Sequence, residues 1–252
     1  MIDFSPAAHF ALLLVRPGML VMFAPGLGGL AVPAPAKVAL TVLLALVLFP
    51  TVPMPRGDIN AVLTTIVARE AVIGLAIAST LRAFITGVEF AGFLSGYQLG
   101  FSYGATVDPV NGVNNTLLAT TYGMLATLAF LGINGHHMLL RALAASYMGL
   151  PVGMGDVHPT LVLAVREVLG LVFTVGARLA APMVIVLLLV ELAVGLISRT
   201  SPALGFGVIG YPLRLVIGLF VLGAIIHTVP GVTAALSESV ITLALRTASA
   251  FR

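Results

Sequence analysis

Several stretches of this sequence stay largely apolar for about 20 residues or longer, the length a helix needs to cross the hydrocarbon core of a bilayer. The longest run from Ile59 to Leu99 and from Thr160 to Ile197. The 252 residues are 60% hydrophobic and 8% charged, with a mean hydropathy of +1.15, which is more apolar surface than a soluble core can use. That surface must be buried in lipid or in other subunits. Met1 to His9 carry Asp3 but no Lys or Arg, so the basic head of a cleavable signal peptide is missing and the first apolar segment is expected to stay in the mature protein. With no cysteine, disulfides, Cys-ligated zinc and iron-sulfur clusters are excluded. The net charge of +3 comes from scattered arginines and a single lysine, without a basic run or a tryptophan, so no nucleic-acid partner is expected.

The apolar blocks predict six to eight helical segments and no sheet. Ala7 to Phe23 and Val38 to Phe49 are separated by a Pro- and Gly-rich stretch, and Pro50, Pro53 and Pro55 close the second block. Asp58 is placed to cap the long stretch that ends at Leu99. Thr116 to Ile133 and His137 to Met148 follow, and Pro159 opens the next helix, which Pro182 should kink. A turn is expected at Ser198 to Pro202. The last blocks, Val208 to Val229 and Thr233 to Ala250, are expected to be broken apart by Pro230-Gly231. No fixed-period repeat and no long hydrophilic linker divide the chain, which reads as a single domain, residues 1-252.

Four features carry the functional reading. Gly92, Gly96, Gly100 and Gly104 recur every four residues and would stack on one helix face, letting another backbone approach closely, within this chain or from another subunit. Gly96→Leu or Gly100→Leu is therefore expected to impair assembly, with Gly74 the more tolerant position. The ladder runs into Ser102, Tyr103, Gly104, Ala105, Thr106, Val107, Asp108, Pro109, Val110, Asn111, Gly112, Val113, Asn114 and Asn115, which cannot be regular helix throughout. Irregular backbone at membrane depth survives only where protein buries it or water reaches it, so this segment is either a pore or gate element or an ordinary loop outside the membrane. Arg82, Glu89, Arg178 and Glu191 interrupt apolar stretches, where ionised groups are costly and normally face protein or a wet cavity. Ion pairing between helices or subunits is their expected role, with a lining for cargo or protons as the rival. Arg199 and Arg214 flank the expected turn near Pro202 and put it on the cytoplasmic side.

Two literal motif matches fail on context. Gly100 to Gly104 spells G-x-S-x-G, but glycines on a helical period precede it instead of a strand, and an intramembrane protease would need Ser102 to meet His136 or His137. Gly205 to Gly210 spells G-x-G-x-x-G with no strand before it and its next acid only at Glu238. His136 and His137 are adjacent, so on a helix they diverge by about 100° and cannot share a metal as an i, i+4 pair does. Asn134-Gly135-His136 reads instead as a turn and helix start, with polar side chains meeting orphan backbone groups. No catalytic residue, cofactor or metal site is expected.

Glu89 to Pro109, EFAGFLSGYQLGFSYGATVDP, resembles the central signature of the FliR family, with its G-x-Q-x-G and V-D-P elements. Phe130-Leu131 with Asn134-Gly135-His136-His137, then Leu150-Pro151-Val152-Gly153, resemble the family's next landmarks in order and spacing. Gly195 to Gly218 resembles its C-terminal hairpin, and Arg16 with Ala24-Pro25 extends the similarity towards the start. The Asn-Gly-His-His element favours the flagellar branch over the injectisome one. The resemblance implies an all-α, integral membrane-type protein of helical hairpins, similar to a fusion of a P-type part (1-158) and a Q-type part (159-252). It further implies a non-enzymatic subunit of the type III protein export gate, multi-pass in the bacterial inner membrane at the flagellar basal body. Its implied partners are P-type and Q-type subunits (FliP- and FliQ-like), FlhB-like and FlhA-like subunits, unfolded export substrates and lipid. Residues 102-115 would be the plug that closes the channel. A secondary transporter or small-solute channel is the reading from another class, and the inverted repeat that would favour it is not evident.

Overall fold

A computed structural model of the chain describes residues 6–28, 32–53, 63–100, 117–153, 160–200 and 206–249. They form eight helices, with no strand among the described residues: α1 (Pro6–Leu13), α2 (Val15–Phe23), α3 (Ala34–Leu48), α4 (Leu63–Leu99), α5 (Leu117–Gly132), α6 (Gly135–Gly149), α7 (Thr160–Thr200) and α8 (Phe206–Ser249). The expected all-α class is what the chain adopts. Four stretches are long and apolar enough to cross a membrane, Pro6–Phe23, Thr64–Leu99, Val162–Thr200 and Gly210–Val232, or five if α5 and α6 count as one broken span.

Local chemistry accounts for the helix ends. Extended Pro33 precedes α3, whose first turn holds Pro35, a residue whose missing N–H is no loss where no intrahelical acceptor exists. The break between α5 and α6 falls at Asn134, which takes a left-handed conformation (φ 58°) tolerated by few residues other than Gly and Asn. The expected turn is there, but it works by backbone geometry, because the Asn134 side chain makes no capping hydrogen bond. Gly100 has φ 85° and ends α4, donating to the Tyr97 carbonyl at 3.1 Å, so the glycine period is helical only as far as Gly96.

The expected break at Pro230-Gly231 does not occur, for α8 runs through Pro212 and Pro230 without interruption. A proline removes one backbone bond from a helix, but among apolar surroundings the neighbouring N–H and C=O groups have no better partners than each other. α7 likewise continues through Pro182 and reaches Thr200. Asp58, Pro159 and the remainder of the turn near Pro202 lie outside the described residues.

The chain forms two compact units, and α4, α7 and α8 each contribute to both. In the first unit (1–84, 131–170, 236–252), α1 to α3 pack together, with His9 and Phe10 both against the ring of Phe49 at 5.5 and 5.9 Å. In the second unit (85–130, 171–235), α7 and α8 run antiparallel: Leu187 lies by Gly218, Glu191 by Arg214 and Val194 by Gly210. The C-terminal half of α4 pairs with α5 in the same sense, Glu89 lying by Gly123 and Gly92 by Leu118 and Ala119.

Candidate functional site: a buried polar node and a glycine-packed hairpin bundle

In the first unit, the side chains of Arg16 on α2 and Glu70 on α4 are fully buried and form a two-pronged ion pair, Nε to Oε2 and Nη2 to Oε1 (3.1 Å). Nη2 also donates to the Leu150 carbonyl at 3.0 Å and Nη1 to Ser146 Oγ at 3.3 Å, so four of the five guanidinium N–H groups can be matched to acceptors. The guanidinium lies 4.4 Å from the centre of the Tyr147 ring, whose hydroxyl donates to the Leu13 carbonyl. Glu70 Oε1 takes one further bond, from the Gly153 N–H at 3.0 Å. One ion pair therefore ties α2, α4, α6 and the segment Leu150–Gly153 together. Gly153 is at φ 80°, where a side chain would be strained.

Gly74, one turn beyond Glu70, explains how the helices come so close. A Cβ there would lie 2.9 Å from both Cα and the carbonyl oxygen of Arg16. Gly74 was expected to be more tolerant than Gly96 or Gly100, yet its own neighbour is backbone, which cannot swing away from a larger residue.

The second unit uses glycine in the same manner. A Cβ on Gly92 would meet the Leu118 carbonyl at 2.6 Å and Ala119 Cα at 2.8 Å, so the close approach at this rung of the ladder is made within the chain. Gly96 is buried in α4, and Gly104 lies outside the described residues. Gly87 and Gly176 admit α7 against α4, a Cβ at Gly176 coming 2.5 Å from the Phe90 ring.

The four interrupting charges fall differently. Glu191 and Arg214 make an ion pair of 2.7 Å across the α7–α8 hairpin, with side chains 45% and 27% exposed, and Arg214 also donates to Gln98 Oε1 at 2.9 Å. Glu89 is half-buried and lies against Gly123, while Arg82 and Arg178 are exposed on the chain taken alone. None of the four is fully enclosed by this chain, so complete burial of any of them would have to come from outside it. Arg16–Glu70, by contrast, is deeply buried. Glu70 was missed among the candidates although the rule that selected Glu89 applies to it equally: a carboxylate in the middle of an apolar stretch. Arg16 entered only through the family resemblance.

His136 and His137 sit in the first turn of α6 with ring centres 4.3 Å apart, and among the described residues no group of three His, Cys, Asp or Glu side chains could hold a metal ion. The whole plug candidate, Ser102 to Asn115, lies outside the described residues.

Long apolar helices, glycine-mediated backbone contacts and ion pairs that join helices define a multi-pass helical membrane protein. Its sequence matches the profile of the bacterial export proteins, family 1, over residues 7–240. It is 32% identical over 213 residues to the flagellar biosynthetic protein FliR of Escherichia coli (84% of this chain, 82% of that protein). Against FliR of Caulobacter vibrioides it is 33% identical over 216 residues (84% and 86%). Similarity to the surface presentation of antigens protein SpaR of Shigella sonnei is lower, 25% over 154 residues (61% and 59%). The chain belongs to this family of bacterial export proteins, on its FliR side.

Proposed function

We propose that this chain is the FliR-type subunit of the flagellar type III protein export gate in the bacterial inner membrane, helping to form and to plug the inlet channel for unfolded export substrates. The observation that carries the reading is the family match across nearly the whole chain, with more extensive similarity to FliR than to SpaR. The injectisome subunit and the solute transporter are accordingly not favoured. The chain's own surface supports a role in an assembly. Within the apolar stretch Val162–Thr200 only 17% of an 18-residue window is buried, and Leu188, Leu189, Leu192 and Leu196 are all exposed. Such a face needs lipid or other helices against it.

The finer proposals rest on the resemblance together with this physical support. P-type and Q-type subunits would cover the exposed helices, with FlhB-like and FlhA-like subunits nearby, and the chain would divide into a P-like part (1-158) and a Q-like part (159-252). Residues 102–115 would plug the closed channel, small residues such as Gly104, Ala105 and Gly112 allowing it to repack when cargo arrives. The subunit would act by forming and closing a passage, without catalysing a reaction.

Purification after co-expression with the neighbouring gate genes tests the assembly: P- and Q-type subunits are expected to co-elute, and recovery of this chain alone at full yield would contradict it. Deleting Asn111 to Asn115 is expected to leave the assembly intact but conductive to small ions in a planar bilayer. An intact deletion complex as tightly sealed as wild type would remove the plug assignment.

A further inference from the structure

In the first unit, Leu14 together with α2, α3 and α4 lines an open groove of about 560 Å³. Its walls are almost wholly apolar, with Gly18, Met22, Val38 and Val42 among them, and its polar side chains are Lys37 and Thr41. The Thr41 hydroxyl is already used, donating to the Lys37 carbonyl at 2.8 Å, while its methyl group faces Gly18. Lys37 is the chain's only lysine, and among the described residues no acidic side chain lines the groove. Its ammonium donates to the Gly28 carbonyl at 3.0 Å, which fixes it at the start of α3 and leaves two donors for another acceptor.

We propose that this groove binds one acyl chain of an anionic phospholipid, with the lipid phosphate on the Lys37 ammonium. An unbranched hydrocarbon chain suits an open groove whose walls are almost wholly apolar. Charge decides the headgroup. A positive charge beside apolar walls, with no acid among the described residues of the lining, complements a phosphate and favours a headgroup in which no attached ammonium offsets that phosphate's charge. Lys37 also stands in the first turn of an apolar helix, where its long stem can carry the charge to headgroup level. The lipid would seat α3, whose Val38, Leu43, Leu46 and Val47 are exposed in the chain itself.

The test uses the intact gate complex in detergent, with phosphatidylglycerol and phosphatidylcholine of matched chains as probes and native mass spectrometry to count bound lipid. Wild type is expected to prefer phosphatidylglycerol. Lys37→Gln should weaken that preference about fivefold, as expected for the loss of one basic side chain near an anionic lipid. Val38→Trp, at an exposed position on the groove wall, should reduce binding of both lipids without altering subunit recovery. An unchanged preference in Lys37→Gln or unchanged lipid counts in Val38→Trp would overturn the proposal. So would competition by glycerol phosphate as effective as the whole lipid, or crosslinking of a probe at position 38 to a partner subunit in place of lipid. The readout does not depend on export, so it fails or succeeds apart from the gate function.

Discussion

Arg16–Glu70 and Arg214–Glu191, both among the described residues, are ion pairs of opposite character. Arg16–Glu70 has both side chains at zero exposure and further partners on α6 and at Leu150 and Gly153, whereas Arg214–Glu191 lies across the α7–α8 hairpin with its carboxylate half open. Desolvation makes the first pair costly to form and far costlier to break, because either partner left alone is an uncompensated charge in an apolar interior. The second retains access to the surroundings and contributes little by itself. The difference separates what the chain fixes within itself from what it offers outward. The first unit is closed around its polar node, and the hairpin keeps both its charges and its leucines on show.

The largest effect should follow from opening the closed node. Glu70→Ala strands the Arg16 guanidinium and the Gly153 N–H, and is expected to cost about 3–5 kcal/mol, read as loss of the protein from membranes. Pairing Arg16→Met with Glu70→Leu should restore much of that loss, since an apolar pair of similar size needs no desolvation. If the double variant accumulates no better than Glu70→Ala, hydrogen bonding to Leu150 and Gly153 outweighs the stranded charge.

Glycine substitutions sharpen the same contrast within one unit. Gly74→Ala forces a Cβ to within 2.9 Å of the Arg16 backbone and is expected to destabilise by about 1–3 kcal/mol. At Gly170 a Cβ meets nothing within 4 Å, so Gly170→Ala in α7 should stabilise by up to about 1 kcal/mol through helix propensity. Thermal unfolding in detergent compares the two, and equal losses would show that Gly74 is not a close-packing position.

These outcomes also mark what the sequence could convey. Apolar length and flanking prolines placed most of the helices, because in lipid the backbone has no alternative partner. The same physics misled at Pro230-Gly231, where a pair that breaks soluble helices is carried through α8. Single charges in apolar runs were visible, but not their mates: Arg16 and Glu70 stand 54 positions apart, and only the packing of α2 on α4 joins them. The tightness at Gly74 was hidden because it comes from the Arg16 backbone that Gly74 faces, which no periodicity reveals. The node was partly legible through Arg16 and the Leu150-Pro151-Val152-Gly153 landmark, although what they share is Glu70.

The smallest effect is expected at the open pair. Glu191→Gln should change the stability of the purified chain by about 0–1 kcal/mol. If the hairpin is covered by partners, the same variant should lower their co-elution while leaving the amount of this chain unchanged. A stability loss as large as that of Glu70→Ala would erase the distinction between the two regions.

The most direct measurement is export itself. In the organism that encodes this chain, the gene is deleted and flagellar substrates are quantified in the culture medium and in the cells. The account predicts that secreted substrates disappear while they are still made inside, that wild-type chain restores secretion, and that Glu70→Ala does not. Undiminished secretion of flagellar substrates from the deletion strain would contradict it.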